Sequence, residues 1–126
     1  MTVGPTKVLL VEDDRFLRRA CEQSLRQQGF DVTSAVDGEE GLAAVRRDLP
    51  DVVLLDLLMP KVPGIEMLRA LKADESTRRL PVIILSNSSR AEDREEVATL
   101  GAALYLVKSN LSLKELGEQI RTLLER

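Results

Sequence analysis

Five short apolar runs recur along the chain, each followed by a polar break and then by a stretch whose apolar residues return every three or four positions. The first run, KVLLV at 7–11, has the length and β-branching of a buried strand, and the acidic triplet EDD at 12–14 ends it. Phe16, Leu17, Ala20, Cys21 and Leu25 then predict a helix over 15–28, with Asp14 as its N-cap and Gly29 as its left-handed stop. DVTSA at 31–35 predicts a second strand, and Leu42, Ala43 and Val45 a short helix over 39–47 before the break at Pro50. The most apolar strand, DVVLLD at 51–56, leads into the turn MPKVPG and a helix over 65–74 carrying Ile65, Met67, Leu68 and Leu71. Pro81 opens a fourth strand, PVIILS at 81–86, followed by a polar helix over 91–100 that stops at Gly101. ALYLVK at 103–108 is the fifth strand, and the stripe Leu113, Leu116, Ile120, Leu123 and Leu124 predicts the last helix over 113–124.

Strands apolar on both faces and alternating with helices require a parallel sheet covered on both sides and joined by right-handed crossovers. The expected fold class is therefore α/β, a doubly wound five-stranded parallel sheet of the flavodoxin-like (βα)5 kind, with strand order 2-1-3-4-5. In such sheets ligands bind beyond the carboxyl ends of the strands, where the strand order reverses between strands 1 and 3. The 126 residues suit a single domain, 1–126 with its core at about 6–125, and only residues 1–6 read as loosely held.

Composition removes whole classes of chemistry. There is no histidine and Cys21 is the one cysteine, so Ser-His-Asp or Cys-His catalysis and a zinc site built on His and Cys are excluded. Cys21 itself reads as a buried thiol on a helix face. The net charge of -3 gives no general attraction to nucleic acid or to an anionic membrane. No apolar run approaches the roughly 20 residues of a membrane span, and MTVGPTK lacks the apolar core of a secretion signal, so a cytoplasmic location is expected.

What remains is oxygen chemistry at the strand ends. Glu12 and Asp13 follow the first strand, Asp56 ends the third, Ser86 the fourth and Lys108 the fifth. Carboxylates brought together repel one another unless a cation neutralises them, and an all-oxygen set favours a hard ion such as Mg²⁺ or Ca²⁺, of which Mg²⁺ fits better because it keeps waters open to an incoming phosphate. A hydroxyl and an ammonium beside such an ion make a receptacle for a phosphoryl group. Each residue also has a plainer reading. Asp56 could be a turn carboxylate, Glu12 and Asp13 surface acids, Lys108 a solvated strand end and Tyr105 an edge-strand aromatic. Ser86 could be an ordinary loop serine, with Ser88 and Ser89 as competing helix caps, and Arg15, Arg18 and Arg19 read as a solvated helix face rather than a docking patch.

Taken together, VLLVEDD, the strand ending in Asp56 before MP and PG, the serine at 86 and YLVK at 105–108 resemble the receiver domain of bacterial two-component response regulators, the chemotaxis-type single domain included. The likeness covers about residues 6–125. It implies that Asp56 is the phosphoacceptor, taking a phosphoryl group from a phosphohistidine of a sensor histidine kinase or a phosphotransfer protein. It further implies that Asp13, Asp56 and the backbone carbonyl of Leu58 ligate Mg²⁺, with Glu12 acting largely through water. Lys108 and Ser86 would bind phosphoryl oxygens, and Ser86 and Tyr105 would switch the surface of helix 4, strand 5 and helix 5. That face is also the expected homodimer interface and the surface offered to a downstream target protein.

The chain departs from the family pattern in several places. Ser109 follows Lys108 where a cis-proline is usual, so that loop is expected to be either trans and rearranged or strained. Leu58, Asn87 and Ser88 are the positions expected to tune the site: Leu58 cannot hydrogen-bond a hydrolytic water, and Asn87 replaces a small residue and narrows access to Asp56. Val62 and Pro63 replace the usual pair before Gly64 and stiffen that turn. Such a module catalyses only its own phosphorylation and dephosphorylation and is otherwise no enzyme. The competing reading is a receiver-like adaptor that binds partners without phosphorylation. A haloacid-dehalogenase-type phosphatase wants a second aspartate where Leu58 stands, and a flavin phosphate would be repelled by Glu12 and Asp13. With no output domain after residue 126, the chain is expected to act through partners or to be a fragment of a larger regulator.

Overall fold

A strand apolar on both faces is kept from water only by helices on both sides, and the chain folds to provide them. The computed structural model describes residues 4–57, 63–88 and 90–125. Strands β1 (Lys7–Val11), β2 (Asp31–Ala35), β3 (Val52–Asp56), β4 (Val82–Ser86) and β5 (Leu104–Val107) pair in parallel in the order β2-β1-β3-β4-β5. They alternate with helices α1 (Arg15–Gln27), α2 (Gly38–Arg47), α3 (Gly64–Ala73), α4 (Ala91–Thr99) and α5 (Leu113–Leu124). The doubly wound flavodoxin-like sheet expected from the alternation is the fold found. No described helix is long and apolar enough to cross a membrane.

The two-residue period of the strands divides the interior in two. Leu9, Val11, Val53, Leu55, Val82 and Ile84 face α2, α3 and α4, where Met67, Leu68, Leu71 and Val97 cover them. Val8, Leu10, Val52, Leu54, Ile83 and Leu85 face α1 and α5, under Cys21, Leu25, Leu116 and Ile120. All five residues of β3 and all five of β4 are buried. Truncating a leucine at such a position costs about 2–5 kcal/mol, so the strand that delivers Asp56 is held hard along its length. Burial also pushes the Cys21 thiol up to about 11, with nearby Glu12 adding to the shift, which fits the inert thiol expected there.

Element ends differ from expectation by a residue or so, and each difference has a local cause. Gln28 is the cap of α1, and Gly29 and Gly101 take positive φ, each with φ near 97°, as helix stops. Asp37 caps α2 through Glu40 N, so that helix begins at Gly38. Its buried residues are Gly38, Gly41, Ala44 and Val45, whereas Ala43 is exposed; alanine is too small for its hydrophobicity to mark a face. Phe16 was expected in the apolar stripe of α1 but is 86% exposed. It stands five residues before Cys21, off the line that Leu17, Cys21 and Leu25 trace at four-residue spacing. β5 ends at Val107, and Lys108 opens a single 3-10 turn, Lys108–Asn110. Among the described residues no peptide is cis, so the Lys108–Ser109 bond is trans.

Candidate functional site

Strand register brings the acidic residues to one place. Val11 pairs with Leu55, so the next residue, Glu12, flanks Asp56 at the carboxyl end of the sheet. Glu12 is also fixed by its own N–H, which donates to Ala35 O at 3.0 Å. Carboxylate oxygens of Glu12, Asp13 and Asp56 all lie within 4.8 Å of one another. Glu12 and Asp56 are buried at 1% and 6% exposure, while Asp13 is exposed and forms the open side of the cluster.

Lys108 supplies the neutralising charge. Its Nζ stands 2.8 Å from Glu12 Oε1 and 3.3 Å from Asp56 Oδ2. Burial alone would lower the pKa of Lys108, but hydrogen bonding and attraction to Glu12 and Asp56 more than offset it, and the net shift is upward. Lys108 therefore stays charged through the neutral range. A group raised in this way contributes stability that is fully present below its ordinary value of 10.5 and is lost as pH rises through the higher folded value. The thermal midpoint should accordingly fall in strongly alkaline solution, and Lys108→Gln should lack that part of the fall. Superimposable curves for the two proteins would assign the alkaline loss to other groups, such as Lys7.

The cluster suits a hard divalent cation on two grounds. Three carboxylates converge on one point, and the single ammonium of Lys108 stands against the two buried ones, so negative charge is in excess there. Glu12 Oε2 is already used, accepting from Asp14 N at 3.0 Å. Asp14 is not part of the cluster: its Oδ1 caps α1 through Phe16 N and Leu17 N, as expected. Leu58, expected to contribute its carbonyl, lies outside the described residues, as do Val62 and Ser89.

Ser86 is buried at the end of β4, and its Oγ accepts from Ser88 N at 3.1 Å. Neither serine caps α4, whose N-cap is Arg90. Ser88 Oγ instead accepts from Arg90 N at 3.2 Å and bonds the Asp93 carboxylate. The carbonyl of Ser88 accepts from Tyr105 Oη at 2.8 Å, and Arg94 lies over the Tyr105 ring, 5.0 Å from its centroid. Tyr105 is thus tied to the loop that begins at Ser86. Asn87, between the two serines, is exposed.

Two contributors escaped the sequence reading. Arg18, taken for part of a solvated face, is half-buried and donates through Nη1 to the carbonyls of Glu12 at 3.0 Å and Asp13 at 3.3 Å. Gly64 opens α3 so close to β3 that a Cβ there would lie 2.2 Å from the carbonyl oxygen of Asp56. The Pro-Gly pair was a visible turn signal; its role in close packing was not.

Comparison with known proteins agrees with this geometry. Residues 8–121 match the response regulator receiver domain. A probable transcriptional regulator ycf27 of Porphyridium aerugineum is 40% identical over 120 residues, covering 95% of this chain and 48% of that protein. The transcriptional regulatory protein PrrA of Mycobacterium tuberculosis is 38% identical over 128 residues, covering 100% of this chain and 54% of that one. The chain spans about half the length of these curated relatives. Among solved structures, the Vibrio cholerae chemotaxis protein CheY4 superposes with a TM-score of 0.89 at 29% identity, covering 96% of this chain and 100% of that one. A putative response regulator from Chloroflexus aurantiacus superposes with a TM-score of 0.90 at 28% identity, covering 98% and 100%. The chain belongs to the receiver-domain family of two-component response regulators.

Proposed function

We propose that this chain forms one receiver domain over about residues 6–125 and that Asp56 accepts a phosphoryl group from a phosphohistidine of a sensor kinase or phosphotransfer protein. The observation that carries this reading is the convergence of Glu12, Asp13, Asp56 and Lys108 at the end of the central strand. An oxygen of Asp56 forms the new bond to phosphorus as the bond from phosphorus to the donor imidazole breaks, and the imidazole leaves with the electron pair. Asp13 and Asp56 would hold Mg²⁺ with the Leu58 carbonyl, Glu12 acting mainly through water. The ion would offset the negative charge gathering on the phosphoryl oxygens.

Lys108 would exchange part of its pairing with Asp56 for a phosphoryl oxygen. Ser86 would turn its hydroxyl to another, giving up the Ser88 N–H it now accepts. Ser88 also carries the carbonyl to which Tyr105 is tied, so movement of this loop reaches the surface of α4, β5 and α5. That surface would meet a downstream target or a second copy of the chain. The test is incubation with acetyl phosphate or phosphoramidate, with and without Mg²⁺, followed by intact mass. A gain of one phosphoryl group only with Mg²⁺ supports the reading, whereas no gain in either case would favour an adaptor that works unphosphorylated.

Leu58 and Asn87 would set the lifetime of the phosphorylated form. Leucine at 58 offers no hydrogen bond to a hydrolytic water, and Asn87 would crowd the approach. A long-lived aspartyl phosphate follows, with Leu58→Asn shortening it by about 100-fold, the lower end of the usual contribution of water activation. Self-hydrolysis of the unaltered protein within seconds in Mg²⁺ would sink this expectation.

A further inference from the structure

Helical side chains lean back toward the helix N-terminus, so a long residue one turn into α1 can reach the loop that precedes it. Arg18 does so. It sits three residues before Cys21 on a helix anchored in the core by Cys21 and Leu25, and its own N–H donates to Asp14 O at 2.9 Å. From that fixed base Nη1 bonds the carbonyls of both Glu12 and Asp13. Within the loop, Glu12 is held by Ala35 O and by Asp14 N, whereas Asp13 stands on the exposed side and is tethered through its carbonyl to Arg18.

We propose that Arg18 is a positioning residue for divalent-cation binding: by gripping two consecutive carbonyls it fixes the loop so that the Asp13 carboxylate faces Glu12 and Asp56. This rests on the Mg²⁺ reading of the cluster given above. Arg18 Nη1 donates to main-chain carbonyls of the loop that carries Glu12 and Asp13, so its positive charge and its grip act in opposite directions. By charge alone, deleting a cation near three carboxylates strengthens the binding of another cation. By positioning, deleting the grip lets Asp13 swing away and weakens it. The sign of the effect separates the two.

The experiment is a calorimetric Mg²⁺ titration of the whole chain carrying Arg18→Ala, Arg18→Lys or Asp13→Asn, beside the unaltered protein, with metal-free thermal midpoints measured in parallel. Arg18→Ala is expected to weaken Mg²⁺ by about tenfold, the scale for losing a group that orients a ligand. Arg18→Lys, which keeps the charge and one donor, should fall between the two. Should the alanine protein fail to fold without metal, the lysine protein carries the comparison, and affinity equal to the unaltered protein overturns the proposal. Equal or tighter binding by Arg18→Ala overturns it as well, while the loss on Asp13→Asn leaves the Mg²⁺ reading standing. Absence of any Mg²⁺ binding that depends on Asp13 removes both.

Discussion

Asp56→Asn should abolish phosphoryl uptake. Asparagine keeps the size and shape of the side chain at the end of β3, and Lys108 keeps its 2.8 Å pairing with Glu12, so the fold has no reason to change. The amide oxygen, however, is a poor nucleophile and carries no charge with which to hold Mg²⁺. Losing a covalent nucleophile lowers the rate by roughly 10⁴-fold or more, which places labelling below detection. Intact mass after incubation with phosphoramidate and Mg²⁺ should show one added phosphoryl group on the unaltered protein and none on the variant. Equal gain on both would move the acceptor to another residue, with Asp13 the first to examine because it is the exposed member of the cluster.

The second large effect is structural. In Gly64→Ala the new methyl would meet the Asp56 carbonyl oxygen at 2.2 Å and Leu57 Cα at 2.7 Å. Both are backbone, so relief requires shifting either the start of α3 or the strand end that carries Asp56. The N–H of Gly64 also donates to Leu57 O at 3.1 Å, and that bond resists the shift. Overpacking of this kind costs about 1–3 kcal/mol, and a clash with main chain belongs at the upper end. The thermal midpoint should drop by roughly 10 °C, at about 3–4 °C per kcal/mol for a domain of this size. Gly29→Ala is the informative contrast. Nothing lies within 4 Å of a Cβ at that position, so only its positive φ opposes the change, at about 1–2 kcal/mol. A midpoint for Gly64→Ala above that for Gly29→Ala would show that the turn after β3 yields easily.

These two sites mark what could be read from the sequence and what could not. β3 and β4 were legible because strands buried on both faces must be apolar at every position, and the residue ending each run then names itself. The acidic pair after β1 was found for the same reason, and the lysine after β5 because that edge strand, though only partly buried, carries no charge before it. Signals weakened where burial is partial or side chains are small. Ala43 and Ala44 cannot be told apart by hydrophobicity, and Phe16 looks like core although the helix turns it to solvent. Contacts made by or against the backbone left least trace. The reach of Arg18 to two carbonyls and the approach of α3 to the Asp56 carbonyl depend on spatial neighbours rather than on residue type at a given spacing.

The tie between Tyr105 and the Ser88 carbonyl has a practical side. The chain has one tyrosine and no tryptophan, so its near-ultraviolet emission comes from a single phenol. That phenol donates a hydrogen bond to the β4–α4 loop and lies beneath the Arg94 guanidinium, two contacts to which its excited state is sensitive. The protein thus carries an intrinsic fluorophore on β5, tied to the segment that follows Ser86, and rearrangement there can be timed optically without attaching a dye.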